Sequence, residues 1–202
     1  MNQEGVIKFR LFQIQEDVAI TPSPRFFQFW DWLRHHRWLG KDRNGYGYGN
    51  LSVRTQQAHL AWPHGFFITG SQTSLLERLT PREVALVTYY SIEENYLYAR
   101  GQVAASSESL SHAALYRAAP QIRVVVHVHH KKLWQRTMGQ LPTTPSDIPY
   151  GTPAMARALQ RQISPKGIIV MGGHQGGLMV WGQTYQEIKN RLLQICNEHH
   201  VC

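Results

Sequence analysis

At 202 residues, 43% of them hydrophobic and 17% charged, the chain has the length and composition of one folded domain with a substantial core, which excludes a disordered, collagenous or low-complexity protein. No apolar run approaches the roughly 18 residues that span a bilayer, and "MNQEGVIKFR" lacks the apolar centre of a signal peptide, so a cytoplasmic protein without a membrane partner is expected. A net charge of +8 invites a nucleic-acid partner through counterion release, but the basic residues are scattered and form no nucleic-acid motif, so the expected partner is a small anionic molecule.

Taken along the chain, "VIKFRLFQI" (6–14) alternates loosely and carries β-formers, which predicts a strand ended by "TPSPR". "RFFQFWDWLRHHRWLG" predicts an amphipathic helix ending at Gly40. "DRNGYGYGNLSVR" is turn-rich and then strand-like, and "GFFITG", "VALVTYY" and "NYLYARG" read as further strands. The second half alternates: helix at about 107–119, strand 122–129, helix near 130–138, helix 152–163, strands 167–172 and 177–181, and a helix from about 184. No linker divides the halves, so residues 1–202 are expected to form a single layered α/β domain whose sheet is not purely parallel. Only two cysteines occur, Cys196 and Cys202, which predicts a reducing compartment. The tail "CNEHHVC" offers Cys196, His199, His200 and Cys202 in a spacing unlike ordinary zinc sites, and a frayed, solvated helix end is the expectation there.

The stretch "RVVVHVHHKK" (123–132) carries the chemistry. Alternate strand residues face one way, so His127 and His129 share a face with Cβ atoms roughly 7 Å apart, close enough to hold one cation. Zinc in a catalytic site takes three protein ligands and leaves a fourth position open, and His174 in "GIIVMGGHQGGLMVWG", at the end of a second apolar strand, is the candidate third. The bland alternative is a half-exposed strand face with His130 capping the next helix and His174 in a turn. In "ASSESLSHAALYRAAP", Ser106, Ser107 and Glu108 lie at the expected start of a helix, where backbone N–H groups and the helix dipole favour an anion and a carboxylate beside a cation can move a proton. An ordinary capping sequence explains the same residues without function.

Together "GYGYGNLSVR", "FFITGSQTS", "SSESLSHAALYRAAP", "VVVHVHH" and "GGHQGGLMVWGQTYQEI" resemble, in order and spacing, the class II aldolase/adducin family over about residues 24–195. The resemblance implies a three-layer α/β/α domain with a central mixed, mainly antiparallel sheet, to which strand 6–14 is an addition. It implies that His127, His129 and His174 hold Zn²⁺ or another divalent transition metal and that Glu108 is the acid/base. It also implies that Asn50, Ser71, Ser106 and Ser107 contact the substrate anion. The implied activity is that of a zinc-dependent lyase acting on a small sugar-like or hydroxy-carbonyl anion through a metal-stabilised enediolate, in a homotetramer with its site between subunits. An epimerase, dehydratase or decarboxylase on the same fold, or a non-catalytic adducin-like interaction module, are the alternatives. Three departures stand out: Gln175 follows the third histidine where glycine is usual, Gln72 replaces a glycine of the phosphate loop, and the tyrosine that donates a proton in family aldolases falls in a stretch this chain lacks. Tyr150, the nearest tyrosine, receives no role.

Overall fold

The computed structural model describes residues 5–55, 62–165 and 167–201. Strands β1 (Arg10–Ile14), β4 (Asn50–Arg54), β5 (Phe66–Thr69), β6 (Val84–Ser91), β7 (Tyr96–Arg100), β8 (Val124–His129), β9 (Ile168–Val170) and β10 (Gly177–Gly182) form one sheet in the order β1-β7-β6-β5-β4-β8-β10-β9. The small pair β2 (Gly40–Lys41) and β3 (Gly47–Tyr48) stands apart from it. Every neighbour in the large sheet is antiparallel except β1, which lies parallel to β7 at the edge. The added strand therefore extends the sheet, and it is shorter than the predicted 6–14.

Strand parity sorts the apolar residues into two cores, because successive side chains point to opposite faces. Val124, Val126 and Val128 pack with Phe26, Trp30 and Leu33 of α1 (Pro24–His35) and Ile188 and Leu192 of α5 (Tyr185–Glu198). Val125, Ile169 and Met179 pack on the other side with Leu110, Ala113 and Ala114 of α2 (Ser109–Ala118) and Met155 and Leu159 of α4 (Pro153–Arg161). The result is the expected α/β/α layering. Each fully buried valine of β8 contributes roughly 1.5–3 kcal/mol, so this central strand is strongly held. His127 and His129 have the parity of Val125, which puts both rings on the side of α2.

Helix starts follow their sequence signals. Thr152 Oγ1 accepts from the Met155 N–H and Thr184 Oγ1 from the Glu187 N–H, each at 3.2 Å, and proline opens α1 and α4. One helix end departs from expectation: α1 stops at His35, not at Gly40. Arg37 adopts φ 59° and the Trp38 N–H turns back to the Leu33 carbonyl at 2.9 Å, which closes the helix with a non-glycine residue in the left-handed region. The tail departs too. Instead of fraying, α5 runs to Glu198 with Ile195 and Cys196 in the core, and the Val201 N–H caps it on the Cys196 carbonyl at 3.1 Å. Cys196 is disulfide-bonded, which removes it as a metal ligand and differs from the free thiol expected of a reducing compartment; Cys202 lies outside the described residues. No helix of the described residues is long and apolar enough to cross a membrane.

Candidate metal centre and anion pocket

β10 pairs with β8 so that Met179 faces His127 and Gly177 faces His129, and the loop between β9 and β10 folds His174 back over them. The His174 N–H donates to the Met171 carbonyl at 3.1 Å and the Gly177 N–H to the His174 carbonyl at 2.8 Å. Glycine makes this approach feasible: a Cβ on Gly177 would sit 2.5 Å from the His174 ring, and one on Gly173 would sit 2.0 Å from the Ile148 carbonyl. Gln175 does not disturb the register.

The three Nε2 atoms form a nearly equilateral triangle: 3.0 Å from His127 to His129, 3.1 Å from His127 to His174 and 3.0 Å from His129 to His174. Ligands at about 2.0–2.1 Å around a tetrahedral zinc lie roughly 3.3 Å apart, so the donor set fits such an ion with a small outward adjustment. His127 Nδ1 lies 3.2 Å from the Leu178 carbonyl; donating there leaves its Nε2 lone pair for the triangle, which is how ligating histidines are oriented. Burial holds His127 down to about 4 and holds His129 and His174 well below the usual imidazole value, so all three are neutral ligands at pH 7. Among the described residues, these three form the cluster of His, Cys, Asp and Glu donors suited to a metal. His130 stays out of it and caps α3 (Lys131–Thr137), its Nδ1 accepting from the Leu133 N–H at 3.1 Å.

Asn50 pairs across β4 with His127, and Asn50, Ser71, Ser106, Ser107, Glu108 and His127 line one small cavity. The structure thus brings all eight predicted residues to one place. Glu108 sits at the start of α2, 2% exposed, where its Oε2 accepts from Ser111 Oγ at 2.5 Å and its Oε1 has no partner. Burial raises its carboxyl to about 7, against the Ser111 hydrogen bond and the Lys8 charge. Asn50 Oδ1 is likewise buried without a partner. Ser106 does serve the start of α2, its Oγ accepting from the Glu108 N–H at 3.4 Å and its carbonyl from the Ser109 N–H at 3.0 Å, whereas Glu108, at the cap position, makes no side-chain cap. Gln72 occupies the glycine position in the left-handed region, φ 63°, and ties the loop to Gly47, its Oε1 accepting from the Gly47 N–H at 2.7 Å.

Sequence reasoning missed four neighbours of this site. Tyr48 stacks on the His129 ring at 4.8 Å, and Tyr150 lies 4.5 Å from the His174 ring. Ser111 holds Glu108, and Lys8 reaches Tyr150 from the N-terminal segment. Tyr48 was open to detection from its place two residues before Asn50. A larger cavity of about 530 Å³, lined by Arg54, Trp62, Tyr90 and Tyr116 among others, holds none of the predicted residues.

Residues 34–197 match the family described as Class II Aldolase and Adducin N-terminal domain. Among solved structures, the fold is similar to that of an L-fuculose 1-phosphate aldolase, with TM-score 0.66 and 15% identity over 91% of this chain and 89% of that one. It is similar also to a sugar-phosphate aldolase from Thermotoga maritima, with TM-score 0.67 and 13% identity over 88% and 91%. For L-fuculose-1-phosphate aldolase from Thermus thermophilus the TM-score is 0.63, with 20% identity over 87% and 89%. At these identities the likeness is one of fold. No curated protein matches the sequence.

Proposed function

The chain belongs to the class II aldolase and adducin family, and we propose that it is a metal-dependent lyase acting on a small hydroxy-carbonyl anion. One observation carries the reading: three neutral imidazole Nε2 atoms converge beside a buried carboxyl that burial raises to about 7. A divalent cation held by His127, His129 and His174, with zinc as the first candidate, would supply Lewis acidity toward a carbonyl or hydroxyl oxygen. Glu108 takes or returns the proton next to that carbonyl at Oε1, the oxygen that Ser111 leaves unbonded. A carboxyl raised to about 7 serves both directions of transfer near neutral pH. Asn50, Ser71, Ser106 and Ser107 present hydrogen-bonding groups to substrate oxygens. The Tyr48 and Tyr150 rings limit the motion of His129 and His174 by packing on them.

The same proton transfer suits epimerisation, dehydration or decarboxylation, and the choice among these rests on the substrate. The reading includes residues 1–202 as one functional unit and a homotetramer with the site between subunits, which light scattering of the purified protein measures. Metal analysis by mass spectrometry of untagged protein tests the centre. About one transition-metal ion per chain, lost in His127→Ala, is expected. An empty parent that takes up no zinc from excess would instead favour the non-catalytic adducin-like module.

A further inference from the structure

Asn50 opens β4 beside the metal centre, and Arg54 closes it at the other end, roughly 13 Å away for four residues of extended chain. The Arg54 guanidinium lies 4.8 Å from the centre of the Tyr116 ring, its Nε donating to the Ile122 carbonyl at 2.7 Å and its Nη2 to the Tyr116 carbonyl. A guanidinium carries five N–H donors, so three remain for solvent or a ligand. Burial weakens its hold on the proton, and Arg123 adds a like charge nearby. No carboxylate offsets this among the described residues, whose ion pairs join Arg100 to Glu16 and Arg117 to Glu93.

Arg54 stands in the wall of the cavity of about 530 Å³, which has the size of a small-molecule site. Trp62, Tyr89, Tyr90 and Tyr116 supply aromatic walls, and no aspartate or glutamate among the described residues lines it. The Tyr116 wall is rigid: the residue is 1% exposed, its ring lies 5.2 Å from Phe66, and its hydroxyl lies 2.7 Å from Ser52 Oγ. On the opposite side, β6 and β7 slip register between Val87 and Tyr89, which leaves Thr88 as the extra residue of a bulge. Such a bulge re-aims the side chains that follow it; here Tyr90 packs toward Phe66 at 6.2 Å while Tyr89 stays 57% exposed. Arg117, the other guanidinium in the wall, is already matched by Glu93 at 2.7 Å. One unmatched charge among aromatic rings suits a monoanion that carries a ring of its own.

We propose that this cavity is a second ligand site, separate from the metal centre, for a small planar aromatic carboxylate whose ring lies among Trp62, Tyr89 and Tyr116 and whose carboxylate pairs with Arg54. Ring packing supplies the apolar part of the affinity and the guanidinium the charge-assisted part. Calorimetric titration of the full chain tests it with three probes: indole-3-acetate, its neutral counterpart indole-3-acetamide, and acetate, which lacks the ring. The acid should bind about tenfold more tightly than the amide, as expected for a charge-assisted hydrogen bond, and acetate should give no measurable heat. Arg54→Met should remove the advantage of the acid and leave the amide unchanged. Thr88→Trp places a larger side chain in the wall and should abolish binding of both, whereas His127→Ala should change neither. Equal affinity for acid and amide in the parent overturns the proposal, as does an acid that does not bind, or one that still binds Thr88→Trp. Loss of binding in His127→Ala places the ligand at the metal centre and also overturns it. Because Arg54→Met leaves two backbone carbonyls without their donor, its circular dichroism is recorded first; if it does not fold, the acid-to-amide ratio in the parent and the Thr88→Trp result decide. Light scattering accompanies the titration: an oligomer that Thr88→Trp dissociates, in a parent that binds no acid, makes the cavity a contact between copies of the chain and overturns the ligand site.

Discussion

Glu108→Gln in metal-free protein should remove a pH-dependent loss of stability that the parent carries. Burial raises this carboxyl from its ordinary 4.5 to about 7. Between those values the folded state retains a proton that the unfolded state has released, so stability falls as pH rises from about 4.5 to 7 and stays lower above. At about 1.4 kcal/mol for each tenfold change, the gap corresponds to roughly 3 kcal/mol at pH 8. Glutamine keeps the shape and can still accept from Ser111 Oγ, but carries no charge to desolvate. The buried histidines act in the opposite sense: their folded values are depressed, so their contribution is present above about pH 6.5 and is lost as pH falls. Being common to both proteins, that contribution cancels in the difference. Urea unfolding in the presence of a chelator, at half-unit steps from pH 5 to 8, measures it. The variant's advantage should be under about 1 kcal/mol at pH 5 and approach about 3 kcal/mol at pH 8. A difference that stays constant across this range would show that Glu108 titrates normally, and the acid/base role built on its raised carboxyl would fall with it.

Gly177→Ala should abolish metal uptake while leaving the far-ultraviolet circular dichroism unchanged, since its Cβ would sit 2.5 Å from His174 Cδ2 and 3.1 Å from His127 Cε1; full metal occupancy in the variant would contradict the packing argument. Ser52→Ala should destabilise the protein by about 1–3 kcal/mol in urea unfolding. The lost hydroxyl lies 2.6 Å from His112 Nδ1 and 2.7 Å from the Tyr116 hydroxyl, all three residues being buried. A cost below about 0.5 kcal/mol would mean that this buried group is replaced without penalty.

The sheet and the histidine pair were legible because their signals are local. A run of β-branched residues with two histidines at the strand period determines both the element and the shared face, and the structure keeps β8 at Val124–His129. His174 and Asn50 needed the ordered set of motifs, since nothing within either short stretch says which strand will lie beside β8. The end of α1 was misread because the predicted stop was a glycine, whereas the helix ends at His35 and the chain reverses at Arg37 in a conformation that glycine usually supplies. Lys8 carried no signal at all. Its significance arises from contact with a residue 142 positions away, and within "VIKFRLFQI" it is simply a polar residue in a strand pattern. Tyr150, which received no role from its place in the sequence, packs its ring between Lys8 and His174.

The parallel docking of β1 on β7 has a consequence for the order in which the protein is made. The three histidines lie within a span of 48 residues, from His127 to His174, and β4, β8 and β10 can assemble around them as soon as β10 follows that span. The longest of the N-terminal contacts, from Lys8 to Tyr150, spans 142 residues, and Tyr150 still precedes His174 in the chain. Closing so long a loop costs chain entropy that only the finished sheet edge offsets. During synthesis the N-terminal segment can therefore settle before the third histidine and β10 arrive, and a cation held by all three histidines is captured last.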